Sequence, residues 1–265
     1  MVHSKTSSVV TRSDLINSLQ KQTLSKDKQL YLLRNENYEE LIDVISDSFL
    51  NDPLMVWTAG LDENKLIGDD GKKRKELQLR LNRFLFSWLH RPLLIRKKGI
   101  VMGVKADKEE DGSPLAGVIS IMPGNKSIGV FDVFTNMMLI GPPPFYTKEK
   151  VNYGPNGDKK LKSMAKLVKK RSEVMKKYKS NYIVIETLGV SGSYQGKGLG
   201  GKLLRPICKL SDSLNVPLYL ETESEGNEAL YHYFGFQTVE TVELEAKGSL
   251  RKLKMWLMVR LPQKS

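Results

Sequence analysis

The 265-residue sequence has a single cysteine, Cys208. One thiol excludes a disulfide framework and a multi-cysteine zinc site within the chain, and it fits a reducing compartment. No metal is expected. No apolar run approaches the roughly 18 residues needed to cross a bilayer, so no membrane span or membrane partner is expected. The first thirty residues have no apolar secretory core, because Lys5, Arg12, Asp14 and Lys21 interrupt them. The expected setting is therefore cytoplasmic, with the nucleus as the alternative, and Asn125-Lys126-Ser127 carries no meaning as a glycosylation site. No repeat period is present.

Acidic residues are outnumbered: 42 Lys and Arg stand against 30 Asp and Glu, a formal charge of +12. Such a balance suits an anionic partner: nucleic acid, a membrane surface or a phosphorylated small molecule. Hydrophobic residues at 40% and charged residues at 27% are ordinary globular usage, which excludes a wholly disordered chain.

Residues 1–28 are polar and read as a mobile tail, with 29–265 as one domain. From Tyr38 the spacing turns helical: Leu41, Ile42, Ile45, Phe49 and Leu50 share a stripe that Asp52-Pro53 ends. A second helix is predicted over 72–88. Gly99–Val104 and Leu115–Met122 read as a hairpin around the turn 109–114. Residues 124–157, with their Gly-Pro-Pro-Pro run, read as an irregular connection. Lys159–Lys179 reads as one basic amphipathic helix in which Arg171 breaks the apolar stripe. That helix is a candidate for steering an anion, for nuclear localisation or for nucleic-acid contact, but it lacks the interleaved aromatics that stack on bases. Nucleic acid is therefore not the expected partner.

The chemistry-bearing segment begins at Tyr182. A β-branched run to Val190 is followed by Gln195-Gly196-Lys197-Gly198-Leu199-Gly200-Gly201, a helical pattern to Leu214, and a second strand from Val216 to Glu221. Glycines ahead of a helix allow positive φ and close approach, and the first helical turn offers unpartnered N–H groups at the positive end of the dipole. Lys197 and Lys202 add charge. The loop suits a phosphate or diphosphate. A triphosphate loop is excluded, because Ser191 stands where its first glycine belongs and Gly198 where Ser or Thr would hold magnesium. Gly196, Gly198 and Gly201 satisfy a dinucleotide pattern, but five residues separate the strand from the loop and too little chain follows for a doubly wound sheet. Gly189–Ser193 fails as a nucleophile elbow, having Ser in place of its last glycine.

These residues resemble the GNAT superfamily of N-acetyltransferases. Gln195 to Gly200 reads as its Q/R-x-x-G-x-G/A signature. Asn227-Glu228-Ala229-Leu230-Tyr231-His232-Tyr233-Phe234-Gly235-Phe236 is similar to its N-x-x-A-x-x-L-Y-x-x-x-G-F segment. Leu220-Glu221-Thr222 is loosely similar to the puromycin-acetyltransferase-like branch. The resemblance implies an α/β (α+β) acyltransferase fold, a mixed and mostly antiparallel twisted sheet flanked by helices. It implies acetyl-CoA as cosubstrate and transfer to a primary amine by direct attack in a ternary complex, a small-molecule amine being favoured. Protein lysines or N-termini, or a CoA-binding or nucleic-acid-associated module with little catalysis, are the alternatives. The resemblance assigns Leu188, Gly189 and Val190 to the pantetheine arm, Gln195, Gly196, Lys197, Gly198, Leu199, Gly200 and Gly201 to the diphosphate, Asn227 to the cofactor arm and Tyr231 to protonation of the leaving sulfur. For the base, Glu186 is chosen because a two-residue strand period puts it on one face with Leu188 and Val190. Glu221 and Glu223 are alternatives. His90, His232 and Cys208 read as structural.

Overall fold

The structure, a computed structural model, describes residues 9–61, 71–107, 112–142, 156–179 and 181–263, the side chain of Asp158 excepted. Seven strands among them form one sheet: β1 (Leu30–Leu32), β2 (Ile100–Lys105), β3 (Leu115–Pro123), β4 (Ile183–Val190), β5 (Leu218–Thr222), β6 (Gln237–Leu244) and β7 (Leu253–Arg260). Their order is β1-β2-β3-β4-β5-β7-β6. Every pairing is antiparallel except β4 with β5. The fold is the expected mixed, mostly antiparallel sheet with helices on both faces.

One face is covered by α1 (Arg12–Leu19) and α8 (Leu199–Leu214). Leu15, Leu19, Leu203, Leu204, Ile207 and Leu210 pack there with Met102, Ile119, Ile183 and Leu218 in one core cluster. The other face carries α2 (Tyr38–Ser48) and α4 (Gly71–Leu94) over β2 and β3, and α3 (Pro53–Ala59) and α7 (Ala165–Met175) over β5 to β7. The tail expectation therefore fails from residue 12 onward. Thr11 caps α1 through a capping box with Asp14, and Leu15 and Leu19 are fully buried. Residues 1–8 lie outside the described residues.

Two more segments differ from the sequence expectation. The basic helix is two helices, α6 (Gly157–Ser163) and α7, which meet at Met164. The irregular connection contains a helix, α5 (Val130–Leu139); its apolar residues point outward, so no buried stripe announces it. Pro143, Pro144 and residues 145–155, like 109–111 of the predicted turn, lie outside the described residues.

A polar chain ties α4 to the sheet centre. Ser120 Oγ lies 2.6 Å from Thr187 Oγ1, which lies 3.1 Å from His90 Nε2, while His90 Nδ1 is 3.0 Å from the Phe86 carbonyl. Nδ1–H donates to that carbonyl, so Nε2 accepts from the threonine. The ring is fully buried, and desolvation pushes its pKa down to about 4. A folded-state pKa below the unfolded value means that the unfolded chain takes up the proton first. This histidine's stabilising contribution is thus complete above about pH 6.5 and declines as the pH falls toward 4, by an amount on the order of 3 kcal/mol. Denaturant unfolding at several pH values, compared between wild type and His90→Gln, should show a shallower acid loss in the variant over that window. Equal slopes would remove His90 from the account.

Candidate active site

The site grows from the way β4 leaves β5. The two strands pair only at Ile183↔Leu218 and Val184↔Tyr219. Beyond that point β4 stays paired with β3 alone, through Gly117↔Val190 and Ile119↔Leu188. The backbone of Leu188 to Val190 therefore has a side with no strand beside it. Between Ser120 and Ile121 the β3–β4 register slips, so that Thr187 faces Ser120, Ile185 faces Ile121, and Glu186 is the extra residue of a bulge.

The bulge corrects the two-residue period used to place Glu186. Glu186 and Thr187 both turn toward the α4 and α7 face, where they meet Arg171 and His90. Leu188 and Val190 turn to the α8 face, where they pack against the core. Glu186 does not share a face with them. Its Oε1 accepts from Arg171 Nη1 at 3.1 Å, and Arg171 Nε donates to Glu221 Oε1 at 2.9 Å. Tyr219 OH donates to the same Glu221 oxygen at 2.8 Å. Despite the cost of burial, the two carboxylates hold the Arg171 guanidinium well above its ordinary pKa. This explains why arginine breaks the apolar stripe of α7: it reaches down to staple β4 to β5 where they part.

The loop after β4 is fixed at both ends. Asp47 Oδ2, near the end of α2, accepts from Ser191 Oγ at 2.8 Å and from the Gly192 N–H at 2.9 Å. Gln195 Nε2 donates to the Val190 carbonyl at 3.0 Å. Gly196 and Gly198 have φ of 76° and 75°, the left-handed region that a side chain resists. α8 starts at Leu199, leaving the amides of Leu199, Gly200 and Gly201 without intrahelical acceptors. Lys197 is exposed above the Tyr194 ring. Lys202, expected to add charge here, instead turns away to Asp27 at 2.9 Å and Gln29 at 2.6 Å.

A groove of about 1050 Å³ runs along this loop, lined by Leu188 to Val190, by Gln195, Gly196 and Gly198 to Gly201, and by Asn227 and Tyr231. On the other side of Tyr231 lies a cavity of about 310 Å³. Its walls are mostly apolar, including Phe49, Met55, Leu85, Leu89, Leu167 and Met255, and its polar groups include Asp52, Arg171, Glu186, Glu221, Glu223 and Asn227. Groove and cavity meet at Phe49, Asp52, Leu188, Asn227 and Tyr231.

Tyr231 sits on α9 (Glu225–Tyr233), whose first turn is capped by Ser224 Oγ accepting from the Asn227 N–H. Its ring packs edge-on against Phe236 and is 8% exposed, and its phenol oxygen has no hydrogen-bond partner among the described residues. Burial first, then the charges of Glu223 and Asp52, push its pKa up, so it holds its proton at neutral pH. Glu223 is pushed up to about 10 by burial and by its hydrogen bond with Asp52. At neutral pH it is therefore a carboxylic acid that donates this hydrogen bond to Asp52. Asp52 also caps α3, accepting from the Met55 N–H at 3.0 Å.

Residues 155–236 match the acetyltransferase (GNAT) family. The likeness to the GNAT family is shown over that segment. Over 93 residues it is 30% identical to an uncharacterized N-acetyltransferase of Schizosaccharomyces pombe, a match covering 35% of this chain and 37% of that protein. The matched stretches span just over a third of the length of the curated relatives. Its fold resembles a crystal structure from Corynebacterium glutamicum described as histone acetyltransferase HPA2 and related acetyltransferase, at TM-score 0.50 and 15% identity over 89% of this chain and 97% of that one. It also resembles the polyamine N-acetyltransferase of Drosophila melanogaster, at TM-score 0.50 and 14% identity over 88% and 98%.

The β4 end, the loop apart from Lys197, Asn227 and Tyr231 line one groove, and Glu186 joins the Arg171 group. His232 lies outside the site, bonded to the Phe236 carbonyl and paired with Glu228. Cys208 is buried, and desolvation raises its pKa to about 11, which leaves it an inert thiol. The sequence reading missed Asp52 as a site residue, because its place before a proline already accounted for it as the end of a helix. Arg171 was signalled only as the break in a stripe. Replacing Arg171 with Leu leaves two carboxylates facing each other in a nearly closed space. We expect a loss of about 3 kcal/mol in stability, partly recovered by Arg171→Lys and measurable by chemical denaturation; an unchanged midpoint would mean that the staple is dispensable.

Proposed function

We propose that the chain transfers the acetyl group of acetyl-CoA to a small primary amine by direct attack in a ternary complex. The observation that carries this is the meeting of groove and cavity at Tyr231: one opening suits a diphosphate-bearing thioester, the other a small base with an apolar body, and both reach the same phenol. The glycine turn fits the cosubstrate, since φ values above 70° at Gly196 and Gly198 leave no side chain between the α8 amides and a diphosphate. The unpaired side of Leu188 to Val190 accepts an added extended chain, as the pantetheine arm is, and offers an N–H to the thioester oxygen. Asn227 holds the arm from the opposite wall.

An amine with a reference pKa near 10.4 arrives as an ammonium and attacks only after losing a proton. Asp52, hydrogen-bonded to a protonated Glu223, takes it directly or through water. As the nitrogen–carbon bond forms and the carbon–sulfur bond breaks, the nitrogen releases its second proton to solvent, and the Tyr231 phenol gives its proton to the thiolate and is reprotonated from solvent. Glu186 and Glu221, held by Arg171, shape the cavity and make its far end acidic. The cavity's size, its apolar walls and its closure by α7 favour a small molecule over a protein side chain. A cytoplasmic setting belongs to the same reading.

Tyr231→Phe should lower kcat by roughly a hundred-fold while leaving acetyl-CoA affinity unchanged. Asp52→Asn should cost at least as much. Acetylation of lysine peptides but of no amine in a small-molecule panel would overturn the substrate class. Turnover of neither would overturn the enzyme.

A further inference from the structure

α5 shows its apolar side to solvent. Val130, Phe131, Phe134, Met137, Met138 and Leu139 are 45–88% exposed, while Asp132 and Asn136 are buried. The orientation is locked. Asp132 pairs with Arg96 at 3.2 Å and with Lys98, and its Oδ2 accepts from the Gly129 N–H at 2.7 Å. Asn136 Nδ2 donates to the Trp88 carbonyl of α4 at 2.9 Å. Rolling the helix to hide its apolar side would expose this amide and strip two cations of their partner. The exposed patch is on the order of 600 Å², the top of the range for the largest apolar patch on a monomer.

The surroundings are basic. Segments 91–100 and 124–142 carry Arg91, Arg96, Lys97, Lys98 and Lys126 against Asp132 alone, a balance of 5 − 1 = +4. Lys97 and Lys126 are exposed, and their ammonium groups make no hydrogen bond or ion pair among the described residues. A second copy would bring the same cations, and the same overall +12, against this rim. The outward side chains offer no hydrogen-bonding group to match a protein partner's polar rim. Apolar side chains in a basic neighbourhood with two unpaired lysines, Lys97 and Lys126, suit a surface that is oily within and anionic at its boundary.

We propose that the outward face of α5 lies in the surface of an anionic lipid bilayer. Phe131, Phe134, Met138 and Leu139 enter the boundary between headgroups and acyl chains, and Lys97 and Lys126 meet the anionic headgroups. This is peripheral binding: α5 has 10 residues, about half the length needed to cross, and no helix among the described residues is long and apolar enough to do so.

The test is co-sedimentation of the full chain with phosphatidylcholine vesicles, with and without 30% phosphatidylserine, at about 0.15 M salt. We expect at least ten-fold stronger partitioning onto the serine-lipid vesicles. The double variant Phe131→Ser, Phe134→Ser should lose it without a fall in unfolding temperature. Lys97→Glu with Lys126→Glu should weaken it by roughly ten-fold or more. Failure to pellet with either vesicle overturns the proposal, as does equal pelleting of the Phe variant. A dimeric mass by light scattering that becomes monomeric in the Phe variant would overturn it in favour of a second copy.

Discussion

β4 and β5 are parallel neighbours for two residue pairs and then part. A gap between two strands in the middle of a sheet leaves backbone groups without partners, a costly arrangement unless something occupies or braces it. Arg171 braces it from the α7 side, bonding Glu186 on β4 and Glu221 on β5. On the opposite face α8 packs under β4, and its N-terminus stands at the mouth of the gap. The groove, the cavity and their meeting at Tyr231 all follow from this one divergence.

The bulge at Glu186 decides which side chains go where. Without the extra residue, alternation would carry Glu186 and Leu188 to the same face. With it, Thr187 turns toward His90 and Gly189 toward α2, so closely that a Cβ there would lie 2.2 Å from Ser48 Oγ. That contact brings the end of α2 against β4, from which Asp47 grips Ser191 and Gly192 and the following turn presents Asp52. A single inserted residue thus aligns the loop and the acid pair.

How much of this could be read from the sequence depends on how local each cause is. The loop from Gln195 to Gly201, the helix after it and the segment from Asn227 to Phe236 are written in adjacent residues, and they stand where expected. A bulge has no local signature in Ile183-Val184-Ile185-Glu186-Thr187, since it arises from the register with β3. Asp52 and Glu223 lie 171 positions apart and become a proton-sharing pair only when α3 docks against the sheet. α5 escaped because its pattern is inverted, with Asp132 held by Arg96 and Lys98 and Asn136 by the Trp88 carbonyl.

The central claim is that the glycine turn into α8 grips the diphosphate of coenzyme A. Titration calorimetry of the wild-type chain and of Gly198→Val with coenzyme A tests it most directly. The account predicts saturable one-to-one binding to the wild type, and a loss of roughly a hundred-fold or more in a variant whose side chain meets both the left-handed backbone and the ligand. Equal affinity in the two proteins, or none in the wild type, would contradict it.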